Sequence, residues 1–463
     1  MDGPSLQQGL DEAGSAVALL WRTDPPVWAP PVVAAEYDGW RAEQHAWHER
    51  VTISDLSYHM WDTFIEGPDA LRLLCELSAN DYRSFAIGQA KQFLPVTEEG
   101  LLVIDGILTR DGDERFTLSG VPPAHTWVRY HAETGGYDVT CRTDPSMEFR
   151  RGERPALFRM QLQGPLAGEL VERAFGAPLP ETRFFHSTPA RLAGRDFRAL
   201  RHGMSGQPGW ELIGDFADHD AVKDALLAAG EPLGLAHIGS IAYPTGGVES
   251  GWVPCPMPAI YTSPALADYR RQVPLLSYEG QNPLHGTWYS EDIEDYYRSP
   301  YELGYGRFVS FDHDFIGREA LEKMKADGRD GRRKKVTFVW NGDDTAAAYG
   351  SMFHEGPGAK FINLPMSLYD TFHADRIEVD GKVVGMSTWT GYSANERAIL
   401  SLGTIDAEFA KPGTEVTLIW GEDKPSNKAQ VEDHVPFKIR ATVQNAPLFE
   451  KARTVYRSDA GVK

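Results

Sequence analysis

The chain has 463 residues, of which 46 are basic and 66 acidic, and its formal net charge at pH 7 is −20. This length exceeds the size at which a single hydrophobic core stops growing, so we expect two or three domains. The acidic excess argues against nucleic acids and anionic membranes as partners, because both are recognised by basic surfaces.

Cysteine content and hydropathy bear on where the protein acts. The three cysteines are few, widely spaced and odd in number, which argues against a disulfide framework. No apolar run reaches the ~20 residues that a membrane span requires. The N-terminal residues are acidic and polar, unlike a secretory signal. These features predict a cytoplasmic protein.

Helical and strand patterns alternate irregularly through the first two thirds of the chain. In chain order, the patterns predict helix 6–21, helix 40–50, strand 51–64, helix 69–77, a hairpin of strands 92–97 and 101–108, strand 115–119, helix 124–133, strand 159–163, strand 210–213 and helix 218–229. The order has no regular βαβ rhythm. We therefore predict an α+β fold for this region.

The composition changes at residues 327–335, a basic run with two glycines that we predict to be a solvated linker. Short strands are predicted after it at 335–340, 376–379, 385–388 and 415–420. Such strands with turns between them are typical of a small β-barrel or sandwich. The predicted organisation is a ligand-binding region at 1–326, the linker at 327–335 and a C-terminal β-barrel domain at 336–463.

Several widely used catalytic motifs are absent from the sequence. It contains no GxGxxG after a strand, no GxxxxGK[ST], no CxxC or HExxH and no GxSxG. A dinucleotide fold, a phosphate loop, a metal centre and a serine-hydrolase elbow therefore lack their usual residues. We predict no bound metal.

The segment 239–252, GSIAYPTGGVESGW, has the composition of a ligand-binding loop. Its glycines permit close approach of the backbone, Trp252 offers a face for stacking and Tyr243 offers a hydroxyl on an aromatic stem. A surface loop with one anchoring tryptophan would look the same in isolation.

Motifs elsewhere in the chain resemble those of the glycine cleavage T-protein, or aminomethyltransferase, superfamily. The resemblance rests on DLSYHMWDTFIEG at 55–67, GLLVIDGI at 100–107, QLQGP at 161–165, GWELI at 209–213, FIGREAL at 315–321 and VGMSTWTGYS at 384–393. Each motif is weak by itself, but their number and order cover nearly the whole chain. The resemblance implies a three-domain folate-binding fold whose first region consists of two intertwined α+β domains.

Within this superfamily the chain most resembles tetrahydrofolate-dependent aryl O-demethylases of the vanillate/3-O-methylgallate and syringate type, which act on lignin-derived aromatics. The similar segments are RHGM at 201–204, AYP at 242–244, ESGW at 249–252, PAIYT at 258–262, IEDYY at 293–297 and NGDD at 341–344. The resemblance implies an enzyme that moves a methyl group from a methoxy-aromatic to tetrahydrofolate.

The resemblance also implies roles for individual residues. Tyr243 would be the catalytic acid, and His59 would contact the phenol. Tetrahydrofolate would be held by Gln161, Glu211, Trp252 and Phe184, with Gln163 an equal candidate for the role of Gln161. Trp252 could also stack on the arene. Asp105 matches the family's carboxylate, but its role with a neutral aryl ether is open.

The chain departs from vanillate-acting members at four predicted substrate positions. Trp28 and Pro30 stand where those members have tyrosines, Leu56 replaces a polar amide and Val121 replaces a carboxylate-binding arginine. The pocket is thus more apolar. Either the arene depends less on a carboxylate than vanillate does, or another basic group has moved in, with candidates Arg83, Arg110 and Arg129.

Two alternatives to O-demethylation remain open from the sequence alone. One is a folate-dependent demethylase or aminomethyltransferase that acts on an amine or a sulfonium compound. The other is a non-catalytic folate-binding protein. Tyr243 and the aromatic segments favour the O-demethylase.

Overall fold

The computed structural model describes residues 3–21, 32–150, 152–204, 206–426 and 428–454. Among these residues, no helix is both long and apolar enough to cross a membrane. The α-helices are Leu6–Ala13, Ala16–Leu20, Trp40–Glu49, Ala70–Glu76, Pro122–Thr134, Ala167–Phe175, His219–Gly230, Thr245–Ser250, Ala267–Gln272, Tyr278–Gln281, Arg318–Ala326, Gly342–Ser351 and Glu450–Thr454.

A six-stranded sheet forms one wall of a large cavity. Its strands, in spatial order, are Ala236–His237, Thr52–Asp55, Leu157–Gln163, Gly209–Asp215, Arg195–Leu200 and Ser187–Leu192. Strand Leu157–Gln163 alternates in polarity, so its apolar side chains pack into a core with the two helices Ala167–Phe175 and His219–Gly230. Its arginine and glutamines therefore lie on the opposite face of the sheet.

A five-stranded sheet faces the same cavity. Its strands, in spatial order, are Ala90–Phe93, Gly106–Arg110, Arg115–Gly120, Trp61–Glu66 and Thr140–Asp144, and every neighbouring pair is antiparallel. Helix Pro122–Thr134 packs against it, with proline at its start, where a missing N–H costs nothing. The sheet's apolar side chains, such as Ile65 and Phe116, join the largest core of the described chain.

The C-terminal strands close into a barrel. Its six strands, in spatial order, are Arg333–Trp340, Ala398–Asp406, Lys382–Ser393, Asp375–Val379, Glu415–Trp420 and Phe437–Asn445. Two short parallel pairs join Leu284–His285 to Phe372–His373 and Gly358–Ala359 to His434–Val435. Of the two architectures predicted for this region, barrel or sandwich, the structure has the barrel. Its first strand begins at Arg333, inside the predicted linker 327–335, and the domain boundaries remain predictions.

Three predicted elements have different bounds in the structure. The predicted helix 6–21 is two helices, because Gly14 adopts a left-handed φ of +79° and Ser15 caps the second helix. The predicted strand 51–64 is divided between the two sheets, as Thr52–Asp55 and Trp61–Glu66. The predicted hairpin of strands 92–97 and 101–108 forms its ladder farther from the turn, between Ala90–Phe93 and Gly106–Arg110. Pro95 lies between this ladder and the turn, and it cannot donate a ladder hydrogen bond.

Candidate active site

A cavity of about 620 Å³ lies where the two sheets and the barrel meet. The six-stranded sheet contributes Arg159, the five-stranded sheet contributes Gln92, and the first barrel strand contributes Lys335. The volume lies within the roughly 300–1,000 Å³ that is usual for small-molecule sites. Six of the residues predicted from sequence line this cavity: Leu56, His59, Phe184, Glu211, Tyr243 and Trp252.

Tyr243 and His59 form an aromatic pair on the cavity wall. Their ring centroids are 5.0 Å apart and the rings meet edge to face. Burial raises the pKa of the Tyr243 hydroxyl above its ordinary value, and the charge of Glu211 raises it further. Desolvation lowers the pKa of His59. At neutral pH the cavity therefore presents a protonated phenol beside a neutral imidazole.

The carboxylate of Glu211 is held by two basic side chains. One oxygen accepts a hydrogen bond from the Arg159 guanidinium, and the other lies 3.1 Å from His202 Nδ1. Burial alone would raise the pKa of Glu211, but the charge of Arg159 and the bond from His202 outweigh it and hold the pKa at about 2. Glu211 is therefore ionised, and two of its roughly four lone-pair sites are in use.

Arg159 connects Glu211 to a second acidic side chain, Asp62, and neither Arg159 nor Asp62 was predicted from the sequence. Arg159 Nη2 donates to Asp62 Oδ1 at 3.0 Å and to Ser119 Oγ at 3.0 Å, and Asp62 also accepts from the Ser119 hydroxyl. Both flanking carboxylates raise the pKa of Arg159 despite its burial. A signal was present, because an arginine two residues before Gln161 must share its face of the strand.

The structure distinguishes the two candidate glutamines by their partners. Gln163 Oε1 accepts the backbone N–H of Met204 at 2.6 Å, which fixes the loop after strand Arg195–Leu200. Gln161 lies directly opposite Glu211 in the sheet. The Gln161 amide nitrogen is buried and has no hydrogen-bond partner among the described residues. Such an unsatisfied donor beside a carboxylate is suited to a ligand with hydrogen-bonding edges.

Asp105 is the acceptor at the centre of a second network. Its Oδ2 accepts from Gln92 Nε2 at 2.6 Å, Trp252 Nε1 at 3.1 Å and the Tyr305 hydroxyl at 3.0 Å. Its Oδ1 is buried without a hydrogen-bond partner among the described residues. Burial raises the pKa of Asp105, although these three bonds oppose the shift. Asp105 thus orients the Trp252 indole toward the cavity.

Glu249 holds the short helix Thr245–Ser250 that follows Tyr243 and precedes Trp252. Its buried carboxylate is bonded to four side chains, two from helix Trp40–Glu49 and two from the end of a barrel strand and the turn after it. These are Trp47 Nε1 at 2.9 Å, His48 Nε2 at 3.0 Å, Ser393 Oγ at 2.6 Å and Asn395 Nδ2 at 3.1 Å. The glutamate of the ESGW segment therefore positions its neighbours rather than the ligand.

Three of the predicted substrate-binding positions are not among the described residues of the cavity wall. Trp28 and Pro30 lie outside the described residues. Val121 immediately precedes helix Pro122–Thr134 and packs on the large core, next to the cavity-lining Gly120. Its role toward a substrate stays a prediction.

The three arginines suggested as substitutes for the missing cation are engaged elsewhere. Arg83 pairs with Asp81 at 2.7 Å, Arg110 donates to the Phe85 carbonyl at 2.6 Å, and Arg129 pairs with Glu133 at 3.5 Å. None of them lies among the described residues of the cavity wall. The lysines and arginines among the described residues of the wall are Lys91, Arg159, Arg307 and Lys335.

Two sheets packed with helices and a closed barrel enclose the cavity, and this arrangement is that of the aminomethyltransferase fold. A solved structure, the glycine cleavage system aminomethyltransferase T from Bartonella henselae, aligns with 92% of this chain and 95% of its own length, with a TM-score of 0.61 and 17% identity. The GCVT N-terminal domain family model matches residues 14–255. The chain belongs to this family.

Two sequence relatives cover nearly the full chain. Syringate O-demethylase from Sphingobium sp. strain NBRC 103272 / SYK-6 is 42% identical over 455 residues, which are 98% of this chain and 97% of the relative. Sesamin methylene transferase from Sinomonas sp. strain No.22 is 31% identical over 435 residues, 90% of each protein. The resemblance to aryl O-demethylases is thereby confirmed, as is the predicted α+β fold with a C-terminal barrel.

Proposed function

We propose that this enzyme transfers the methyl group of a lignin-derived methoxyphenol to tetrahydrofolate, releasing the demethylated phenol and 5-methyltetrahydrofolate. The observation that carries the proposal is Tyr243. Its hydroxyl is protonated, lines the cavity beside the Glu211–Arg159 pair and donates no hydrogen bond to a described residue. The 42% identity to a relative named syringate O-demethylase supports the substrate class.

Glu211, its neighbour Gln161 in the sheet and two aromatic residues of the cavity wall fit a reduced pterin. Glu211 would accept hydrogen bonds from the amino and ring N–H groups of the pterin through its remaining lone pairs, a geometry that suits a carboxylate. The buried Gln161 amide nitrogen would find its missing acceptor on the same ring edge. Trp252 and Phe184 would supply flat apolar faces. When bound, tetrahydrofolate supplies an amine nitrogen as the methyl acceptor.

The chemical difficulty lies in the leaving group, and Tyr243 addresses it. When the methyl–oxygen bond breaks, its electron pair stays on the aryl oxygen, which is a poor leaving group as a bare anion. The Tyr243 hydroxyl would donate its proton to this oxygen as the charge develops, and Tyr243 would regain a proton from the amine that takes up the methyl group. His59, in ring contact with Tyr243, would orient the phenol. Holding the methyl donor and the accepting nitrogen in line would lower the activation free energy by several kcal/mol more.

The arene side of the cavity favours an apolar substrate body. Leu56 lines it, and Arg159, a buried cation of the cavity wall, is shared between Asp62 and Glu211. A substrate carboxylate placed here without its own partner would cost several kcal/mol of desolvation. Recognition of the arene would therefore rest mainly on its ring, hydroxyl and methoxy groups.

A methyl-transfer assay tests the proposal. The protein is incubated without oxygen with tetrahydrofolate and one of syringate, vanillate, guaiacol, vanillyl alcohol, an N-methyl amine or a sulfonium compound. Equal amounts of 5-methyltetrahydrofolate and demethylated phenol are expected with the methoxyphenols. Methyl transfer only from the amine or the sulfonium compound, or folate binding without any turnover, would refute it.

A further inference from the structure

Asp62 contacts the arm of the Arg159 guanidinium that does not bind Glu211. Arg159 Nη2 lies 3.0 Å from Asp62 Oδ1 and 3.3 Å from Asp62 Oδ2, whereas Nη1 donates to Glu211. All three side chains are buried. Arg159 and Glu211 line the cavity, but Asp62 is not among the described residues of its wall. An effect of Asp62 on a bound ligand would therefore be transmitted by its neighbours, above all by Arg159.

The five-stranded sheet fixes the position of Asp62. Asp62 lies directly opposite Ser119 on the neighbouring strand, and the Ser119 hydroxyl donates to Asp62 Oδ1. The same hydroxyl oxygen accepts from Arg159 Nη2 at 3.0 Å. Carboxylate, hydroxyl and guanidinium are thus bonded to one another in all three pairs. Together they join the five-stranded sheet to strand Leu157–Gln163 of the six-stranded sheet.

The two carboxylates compete for one guanidinium. A guanidinium carries five donors in a planar fork and can bind a single carboxylate through two parallel hydrogen bonds. Arg159 does not bind Glu211 in this way, because its Nη1 bonds one oxygen and the other oxygen lies 3.1 Å from His202 Nδ1. Arg198, another arginine whose charge reaches both carboxylates, pairs with Asp111. Each Glu211 oxygen therefore keeps a lone pair for a further donor.

We propose that Asp62 is a positioning residue for the pterin: it holds one arm of Arg159 and so keeps Glu211 free to bind the amino edge of the ring. The inference rests on the proposed function, because it takes the pterin N–H groups to bind Glu211. Without a carboxylate at position 62, the guanidinium would turn toward Glu211 and engage both of its oxygens. The lone pairs required by the pterin would then be occupied by Arg159.

A folate analogue tests whether the effect of Asp62 is specific for the amino edge. Tetrahydrofolate and its 2-desamino-2-methyl counterpart, in which a methyl group replaces the amino group, are titrated without oxygen and without an arene. The unaltered chain should prefer tetrahydrofolate about 10-fold or more, because the analogue lacks a hydrogen bond to an ionised carboxylate. Asp62→Asn should lower this preference to about threefold or less, since an amide oxygen holds the guanidinium less strongly than a carboxylate does.

A second aspartate–arginine pair in the same sheet provides a matched control. Asp144 lies directly opposite Asp62 on the other neighbouring strand and pairs with Arg150 at 2.6 Å. Neither Asp144 nor Arg150 is among the described residues of the cavity wall. Asp144→Asn removes the same charge from the same sheet without touching Arg159. It should leave the preference for tetrahydrofolate unchanged.

Ser119→Ala is a milder change in the same contact. It keeps the Asp62 carboxylate and removes one of the two side chains that bind Arg159 Nη2. The preference for tetrahydrofolate should fall about two- to threefold, because a single neutral hydrogen-bond partner is lost. This variant decides the test if Asp62→Asn does not fold, and an unchanged preference would then refute the inference.

The folded Asp62→Asn variant can contradict the inference in two ways. An equal loss of affinity for both folates, with the preference retained, would limit Asp62 to a structural role. Weaker binding of syringate with unchanged folate affinities would place the effect of Asp62 on the arene side. Methyl transfer by the unaltered chain leaves the proposed function standing in both cases. Failure of the unaltered chain to bind either folate would refute the proposed function and this inference with it.

Discussion

The proposed chemistry depends most on one group, the Tyr243 hydroxyl. Tyr243→Phe removes one oxygen and preserves the ring contact with His59. Turnover should fall about 10²-fold or more, because the leaving oxygen loses its acid, while folate affinity changes little. Steady-state kinetics and folate titration on the same preparation measure both.

A nearby tyrosine controls for loss of a phenol. Tyr58 packs its ring edge-on against Phe216 and is not among the described residues of the cavity wall. Tyr58→Phe should retain near-normal turnover. Near-normal turnover in Tyr243→Phe as well would limit Tyr243 to a packing role.

Arg159 is the residue whose loss should be most costly to stability. Arg159→Met leaves Asp62 and Glu211 buried without their shared cation, which should lower the free energy of unfolding by about 3–5 kcal/mol near pH 7. Arg191, exposed and paired with the exposed Asp196, is a matched control. Arg191→Met should cost less than about 1 kcal/mol. Urea unfolding measures both variants.

The pH dependence of this loss follows from Glu211. Its pKa is lowered from 4.5 to about 2, so its ionisation stabilises the fold above pH 4.5, and this contribution is lost as the pH falls toward 2. In Arg159→Met only His202 still opposes the effect of burial, which raises the pKa of Glu211, so protonation then stabilises the variant. The difference between Arg159→Met and the unaltered chain should therefore shrink from pH 7 to pH 5. A difference that is constant with pH would contradict this account.

Among the helices, the short Thr245–Ser250 is too short to be stable by itself, and the carboxylate of Glu249 holds it in place. Glu249→Ala leaves four donors, of which Trp47 and Ser393 are buried, without their shared acceptor, and the free energy of unfolding should fall by about 3 kcal/mol. Turnover of the folded fraction should also fall, because Tyr243 and Trp252 flank this helix. Glu231→Ala, at an exposed position, controls for loss of a carboxylate. Loss of stability with unchanged turnover would show that the two residues keep their positions without Glu249.

Across the whole molecule, one bound ligand should stabilise the six-stranded sheet, the five-stranded sheet and the barrel together. Tetrahydrofolate at 100 times its dissociation constant should add about 2.7 kcal/mol to the free energy of unfolding. Because the cavity includes Lys335 of the barrel, amide exchange should slow in strand Arg333–Trp340 as well as in Gly209–Asp215. Glu211→Ala should reduce both effects. Protection confined to Gly209–Asp215 would contradict a shared site.

Much of the architecture is predictable from the chain alone, because local periodicity and motif order carry it. The helices Trp40–Glu49, Pro122–Thr134 and His219–Gly230 match their predicted spans within two residues. The barrel strands Ala398–Asp406 and Phe437–Asn445 were not predicted as strands from their pattern. The first carries one buried serine and one buried threonine, Ser401 and Thr404, whose polarity hides a strand that is buried on both faces.

Local patterns in the chain predict the α+β region and the C-terminal strands, and the resemblance of its motifs to a known family implies six of the residues that line the cavity. Which side chains meet one another follows from the tertiary structure. Arg159 reaches Glu211 from a strand 52 positions earlier, and Lys335 enters the cavity from the barrel. Such pairings depend on the register between distant strands, and a shift of one residue would turn Arg159 and Gln161 into the core.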